Sequence, residues 1–255
     1  GIPYVKPRRR KRRQIEKEDP EQSLSIVCCS ACITLHCWIR DLCADGDIES
    51  QPGPRYITKN VNSMSGPGKL YQTFKSIRQE SDKDPITAVF IQDHRLLASK
   101  AKLIKSEAKR FKLLTITAHA PPRADGTGDG GTMIIIPHEA IMQPQKKTPT
   151  QAARATAQTA AERSAEEAIE AATDLHAKCD AICATRRASL GGRFVSVKMQ
   201  VDGQIRTLSS AYAPATEKAD VPLSKRPAFF TRMKLLLRRN TILGIDANCV
   251  PDPNL

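Results

Sequence analysis

The chain has few aromatic residues: 4% of its 255 positions, with a single tryptophan. A platform of stacked rings for single-stranded bases is therefore not expected, because each stacked base needs an aromatic side chain beneath it. No stretch reads as a membrane-spanning helix. The most apolar stretch, Leu24 to Ile39, includes His36 and falls short of the roughly 20 residues a bilayer requires. No secretory leader is legible, since the acidic patch Glu16 to Glu21 separates the basic run from the apolar one and no small-residue cleavage site follows. Cys29, Cys32 and His36 have partial zinc spacing, but no second Cys-x-x-Cys or histidine pair completes it. Five of the eight cysteines crowd between Cys28 and Cys43, the others being Cys179, Cys183 and Cys249. That clustering does not staple a chain of this length, so the cysteines read as free thiols in a reducing compartment.

What the chain has in excess is positive charge. A formal net charge of +13 and a pI near 9.5 call for a polyanionic partner. DNA is the first candidate and RNA the second, because neutralising phosphates releases counterions without needing a particular sequence. An anionic membrane surface is the alternative, and no stable membrane association is expected. Lys6, Arg8, Arg9, Arg10, Lys11, Arg12 and Arg13 form a dense run that reads as a nucleic-acid arm or a nuclear-import signal, in a tail over 1–22 expected to be disordered. The expected location is the nucleus, after synthesis in the cytoplasm. A segment over 23–54 is apolar and cysteine-rich.

From Arg55 onward strands and helices alternate. Tyr56 to Val61 reads as a strand, and Lys69 to Gln79 as a helix with Leu70, Phe74 and Ile77 on one face. Ile86 to Ile91 is a continuous apolar strand, Ser99 to Arg110 a lysine-rich helix and Phe111 to Thr117 a strand. Gly130-Gly131 introduces a strand over Thr132 to Ile136. Val195, Val197, Met199 and Val201 alternate with polar residues as in a half-buried strand, and Asp202-Gly203 turns the chain into Ile205 to Tyr212. A helix over Pro227 to Arg238, with Phe230, Met233 and Leu237 inward, feeds the strand Thr241 to Ile245. Between these, 150–187 is alanine-rich and expected to be a helical insertion that projects from the body. Its deletion should then leave the melting behaviour nearly unchanged.

Three strands end in oxygen-bearing side chains: Lys59-Asn60-Val61-Asn62, Phe90-Ile91-Gln92-Asp93, and Ile242 to Asn248. Such placement puts hard ligands at the lip of a sheet, where a divalent cation and a phosphate can meet. Asp246 and Asn248 are two apart, so they leave an extended segment on the same side. A carboxylate there can orient or deprotonate water, and a carboxamide can donate to a phosphoryl oxygen. Tyr212 adds a phenol at another strand end. Singly, each has a plain reading: turn chemistry for Asp246-Ala247-Asn248, a half-buried aromatic for Tyr212, a strand-end hydrogen bonder for Asn60. His94 reads as a surface residue.

With "ITKNVNSM", "VFIQDHRL", "GDGGTMIII", "SSAYAP" and "GIDAN" in this order, the chain resembles the endonuclease/exonuclease/phosphatase superfamily. The resemblance is closest to the apurinic-type endonuclease domain of LINE-type (non-LTR) retrotransposon proteins. It implies a four-layer α/β sandwich over 55–255, two face-to-face sheets flanked by helices, carrying the alanine-rich helical insertion. It also implies cleavage of DNA with Mg²⁺, or Mn²⁺ in its place. Asp246 would position or activate the attacking water, Asn248 and Tyr212 would stabilise the pentacovalent phosphorus, and Asp93 with Asn60 would hold the metal. Asp93 stands where the family has glutamate. The family's later aspartate strand and terminal Ser-Asp-His have no counterpart before Leu255. The resemblance thus implies a domain incomplete at its C-terminus, with an open sheet edge, that binds DNA without cutting it on its own. "DGDIESQPGP", Asp45 to Pro54, resembles the ribosome-skipping peptide of some LINE-type proteins, with Gln51 in place of asparagine, or else is a plain linker. A reverse-transcriptase domain would then be the downstream partner. The alternatives are a non-catalytic nucleic-acid-binding fragment and a lipid or nucleotide phosphatase of the same superfamily.

Overall fold

In a computed structural model, which describes Ser25–Cys28, 54–142, 160–214, 225–238 and 240–248, the apolar runs become nine strands in two mixed sheets. One sheet has the order β2 (Tyr56–Asn60), β3 (Ala88–Gln92), β5 (Thr132–Pro137), β4 (Leu113–Ala118). Its β2 and β3 are parallel and its other pairs antiparallel. The other runs β1 (Ser25–Cys28), β9 (Thr241–Asp246), β8 (Gln204–Tyr212), β7 (Phe194–Val201), β6 (Arg187–Ser189), with β1, β9 and β8 parallel. The hairpin between β7 and β8 turns on Asp202 and Gly203, both at positive φ (50° and 76°), the backbone of a type I′ turn.

β3 shows why a continuous apolar run was needed. It is buried along its whole length because both of its faces are covered. Phe90 packs between the sheets with Ile134, Val197, Leu208 and Ile242, while Val89 and Ile91 face the helices on the other side. Those helices are α1 (Lys69–Lys83), which buries the expected Leu70, Phe74 and Ile77, and α2 (Ala101–Arg110), which buries Ile104 and Ala108. After the short α3 (His138–Met142), α4 (Ala160–Ala171) and α5 (Leu175–Ala184), α6 (Lys225–Leu236) covers the outer face of the second sheet. Phe229 and Met233 are its buried residues, whereas Phe230 and Leu237 are half-buried. The result is the four-layer α/β sandwich that the sequence led us to expect.

Two elements differ from expectation. The alanine-rich helices do not project: Ile169 in α4 and Ile182 in α5 are 3% and 2% exposed, and Leu175 and Cys179 pack on the inter-sheet core. Lys198 of β7 bonds Glu166 at 2.5 Å, and its backbone N–H donates to Thr185 Oγ1 at 2.7 Å. Two isoleucines, with Leu175 and Cys179, make the apolar part of this contact. The expectation that this segment can be removed at no cost in stability is therefore corrected, as far as 160–187 is concerned. The second difference is at the β9 edge, expected to be open. Ser25–Cys28 fills it, pairing from Ser25 opposite Ile242 to Cys28 opposite Ile245, so the sheet draws on residues from the segment that was set apart from it. The basic run from Lys6 to Arg13, the Cys29, Cys32 and His36 group, most of the Asp45 to Pro54 motif and 150–159 lie outside the described residues. No helix among the described residues is long and apolar enough to cross a membrane.

Candidate active site

The parallel pairings decide where the polar strand ends go. β2 and β3 end level with each other, Asn60 opposite Gln92, and β8 and β9 end level at Tyr212 opposite Asp246. The sheets face each other, so these ends come to one rim of the sandwich. There Asn60 Nδ2 donates to Asp246 Oδ2, a bond that joins the two sheets. The Asn248 backbone N–H donates to Asp246 Oδ1 at 2.9 Å, and Asn248 Nδ2 donates to the Ala213 carbonyl at 2.6 Å. Asn60 Oδ1 accepts from the Asn62 N–H at 2.9 Å, leaving that oxygen a second lone pair. Asp246 is thus held by one side-chain and one backbone donor at a position 7% exposed.

Asp93 follows β3 on a sharply constrained loop. Asp93 and Arg95 both have left-handed backbone, φ 53° and 55°, and so do Asn62 and Ser63 opposite them, φ 42° and 82°. Such backbone is uncommon outside glycine and persists where the surroundings over-determine it. Here the Ser63 N–H donates to Asp93 O (2.8 Å), Met64 N–H to His94 O (2.9 Å) and Arg95 N–H to Gly130 O (2.7 Å). His94 is fully buried, not at the surface, and plugs the loop from inside. Its Nδ1 accepts the Leu96 N–H at 2.9 Å, so Nε2 carries the proton and donates toward Ala118 O (3.1 Å) and Thr132 O (3.3 Å). Gly131 is required beside it: at φ 94°, a Cβ there would sit 2.5 Å from His94 Cε1.

Burial pushes the His94 imidazole down to about 4, against the pull of the two carbonyls. The unfolded chain takes up this proton near 6.5 and the folded chain only near 4. The stability from a neutral His94 is therefore fully present above pH 6.5 and is lost as pH falls from there toward 4, by about 3 kcal/mol at the low end. Urea unfolding across this range should show a steeper pH dependence for the wild type than for His94→Gln. Equal slopes would remove His94 as its source.

Tyr212 is flanked by charges of both signs. Burial raises its phenol pKa, as do the neighbouring Asp93 and Asp246, while a hydrogen bond with Asn248 and the nearby Arg193 act in the opposite direction. The phenol therefore stays a neutral donor. Asn60, Asp246 and Asn248 are linked by hydrogen bonds, Tyr212 is level with Asp246, and Asp93 directly follows Gln92, which is level with Asn60, so the five lie at one rim. Two cations complete the group. Arg193 lies over the Tyr212 ring, 5.1 Å from its centroid, and donates to Asp129 at 2.9 Å. Arg95 forks onto Asp93, Nε 3.1 and 3.2 Å from the two oxygens and Nη2 2.9 Å from Oδ2, and reaches Asn62 Oδ1 at 3.1 Å. Inside the rim Gln92 is 0% exposed; it accepts from Thr58 Oγ1 at 3.1 Å and reaches Ser210 Oγ at 3.4 Å, fixing the inter-sheet spacing beneath the site.

Arg95, Arg193 and Gln92 were not among the site residues expected from the sequence. Arg95 stands two residues after Asp93, but both lie beyond β3 on left-handed backbone, so strand alternation does not predict their contact. Arg193 had no sequence signal either, since only the packing of the segment before β7 against Gly130 and Tyr212 brings it in. The basic residues from Lys6 to Arg13 are outside the described residues, and their relation to this rim is not part of its geometry.

The donors fit a hard divalent cation in kind: Mg²⁺ takes one or two carboxylates and keeps several waters, and Asp93 with the free lone pair of Asn60 would be its protein ligands. In the present arrangement both Asp93 oxygens are taken by Arg95. Among the described residues no three of His, Cys, Asp or Glu converge as a metal cluster.

No protein-family model and no curated protein matches the chain. Among solved structures it is similar to a humanized D. rerio TDP2, with 9% identity, a TM-score of 0.39, and coverage of 78% of this chain and 64% of that one. An endonuclease/exonuclease/phosphatase family protein from Leptotrichia buccalis matches with 12% identity, TM-score 0.41, and coverage of 75% and 66%. The endonuclease domain of TRAS1, a telomere-specific non-LTR retrotransposon, matches with 14% identity, TM-score 0.38, and coverage of 78% and 62%. The chain spans less than two thirds of the length of each of the three. Likeness at this level says nothing of chemistry.

Proposed function

We propose that the rim is the active site of a metal-dependent phosphodiesterase that nicks DNA as part of a retrotransposon-type protein. The observation that carries this reading is the joining of Asn60 to Asp246 across the two sheets, with Asp93, Tyr212 and Asn248 gathered around them. Asp246, oriented by two donors, holds a water and takes its proton as the water oxygen bonds to phosphorus and the opposite P–O ester bond breaks, the departing oxygen being protonated from solvent. The Tyr212 hydroxyl and the Asn248 carboxamide, with Arg193 close by, offer positive edges to the phosphoryl oxygens as charge grows on them. A divalent ion at Asp93 and Asn60 would supply Lewis-acid polarisation of the phosphate and a lower pKa for bound water.

The polyanionic substrate is favoured by the +13 charge, and the retrotransposon setting by the five ordered motifs and the Pro-Gly-Pro junction. A nuclear location is favoured by the run from Lys6 to Arg13. A reverse-transcriptase domain as downstream partner follows from the same reading, and RNA is a second ligand for the charge. The grip of Arg95 on Asp93 favours a second reading, a non-catalytic nucleic-acid-binding domain. The test is nicking of supercoiled plasmid by the natural protein containing these residues, in Mg²⁺ and in chelator. Metal-dependent conversion to open circles supports the proposal; DNA binding without nicking in Mg²⁺ or Mn²⁺ favours the second reading.

A further inference from the structure

We propose that Arg95 is a built-in counter-ion of Asp93 that yields its place only when a phosphodiester takes the guanidinium, so that divalent cation and nucleic-acid backbone enter the site together. The inference rests on reading the rim as a phosphodiester-handling site. The Asp93 carboxylate is 5% exposed and lies under the Arg95 side chain, which is 34% exposed, so solvent and ligands meet the guanidinium first. Nε and Nη2 occupy both carboxylate oxygens, and Nη2 also reaches Asn62 Oδ1, so the guanidinium holds the carboxylate that a cation would need. The backbone beneath is held at positive φ by hydrogen bonds to Gly130 and Ser63 and by the buried His94, so displacement falls first to the side chain. That arginine side chain is long and flexible. A cation arriving while Arg95 remains meets a like charge and an occupied carboxylate. A phosphodiester, in contrast, accepts from a guanidinium with the same two-pronged geometry as a carboxylate. Each ligand therefore lowers the cost of admitting the other, and the coupling is reciprocal.

The test is Mn²⁺ binding to the 255-residue chain, followed by the spin-resonance signal of the free ion with and without a short DNA oligonucleotide. Binding of Mn²⁺ to the oligonucleotide alone is subtracted. We expect wild type to bind Mn²⁺ about tenfold more tightly when the oligonucleotide is present. Arg95→Gln should bind it about tenfold more tightly than wild type without oligonucleotide, the scale of a charge-assisted pair removed, and should gain nothing further from DNA. Asp93→Asn should lose both effects. Equal Mn²⁺ affinity in wild type and Arg95→Gln, or a DNA effect of the same size in both, overturns the proposal. If Arg95→Gln fails to fold by circular dichroism, Arg95→Lys, which keeps charge without the fork, should lie between wild type and the value expected for Arg95→Gln; wild-type behaviour there overturns it equally. A protein that nicks DNA while showing no coupling sinks this inference and leaves the phosphodiesterase reading intact. Coupling here, with no nicking by the natural protein in the plasmid test, does the reverse.

Discussion

Asp246→Ala should lower the rate of plasmid nicking by the natural protein by about 10²–10⁴-fold, the range for losing a positioned general base, with little loss of DNA affinity. The carboxylate sits at the end of β9, held by Asn60 Nδ2 from the opposite sheet and by the Asn248 N–H. Alanine removes the acceptor of both donors. Because Asn60 and Asn248 lie at the partly exposed rim, water can satisfy them, and the melting temperature should move little. On the proposed reading DNA is held by the dispersed positive charge, so affinity should persist and should weaken steeply with salt in both proteins. Asp246→Asn separates two roles: it keeps an oxygen for the Asn248 N–H but cannot take a proton, and its rate should fall nearly as far. An unchanged rate in either variant would remove Asp246 from the chemistry.

The second large effect is structural. A side chain at Gly244 should destabilise the domain by about 3 kcal/mol or more for valine, at or beyond the usual range for overpacking a core. A Cβ on Gly244 would lie 2.3 Å from both Cβ and Cγ of Phe90, which is itself 0% exposed in the inter-sheet layer. Interiors at this density have no room to absorb such an overlap, so β9 must move away from β3. Since Asp246 is two residues further along β9, the same displacement should disturb its bond to Asn60. Urea unfolding of Gly244→Val and Gly244→Ala measures the loss, and Phe90→Leu should recover part of it in the double variant. Wild-type stability in Gly244→Ala would mean that the sheets can separate freely at this point.

Much of this architecture is written in local pattern. The i, i+4 and i+7 spacing of Leu70, Phe74 and Ile77, the unbroken run of β3 and the Asp202-Gly203 turn each name their own structure, because one face or both must be buried. That Asn60, Asp93, Tyr212, Asp246 and Asn248 each follow or close an apolar strand was legible along the chain; that two separate sheets bring these ends to one rim is a tertiary choice. Other features depended on distance in sequence. Arg193 reaches Tyr212 only through the fold, and the burial of His94 follows from Gly131 offering no side chain against its ring. The docking of α4 and α5 rests on two isoleucines in an alanine-rich stretch, too little apolar signal to distinguish a packed helix from a projecting one. The pairing of Ser25–Cys28 with β9 is likewise a choice of partner that no periodicity encodes.

The claim on which the rest depends is that Asp246 directs water onto phosphorus. Single-turnover cleavage of a DNA oligonucleotide in ¹⁸O-labelled water, at enzyme excess and with Mg²⁺, tests it most directly. A water held by Asp246 delivers one labelled oxygen to the product phosphate in the first turnover, and Asp246→Asn leaves the oligonucleotide intact on the same time scale. Cleavage at an undiminished rate in Asp246→Asn, or wild-type product phosphate free of label after one turnover, would contradict it.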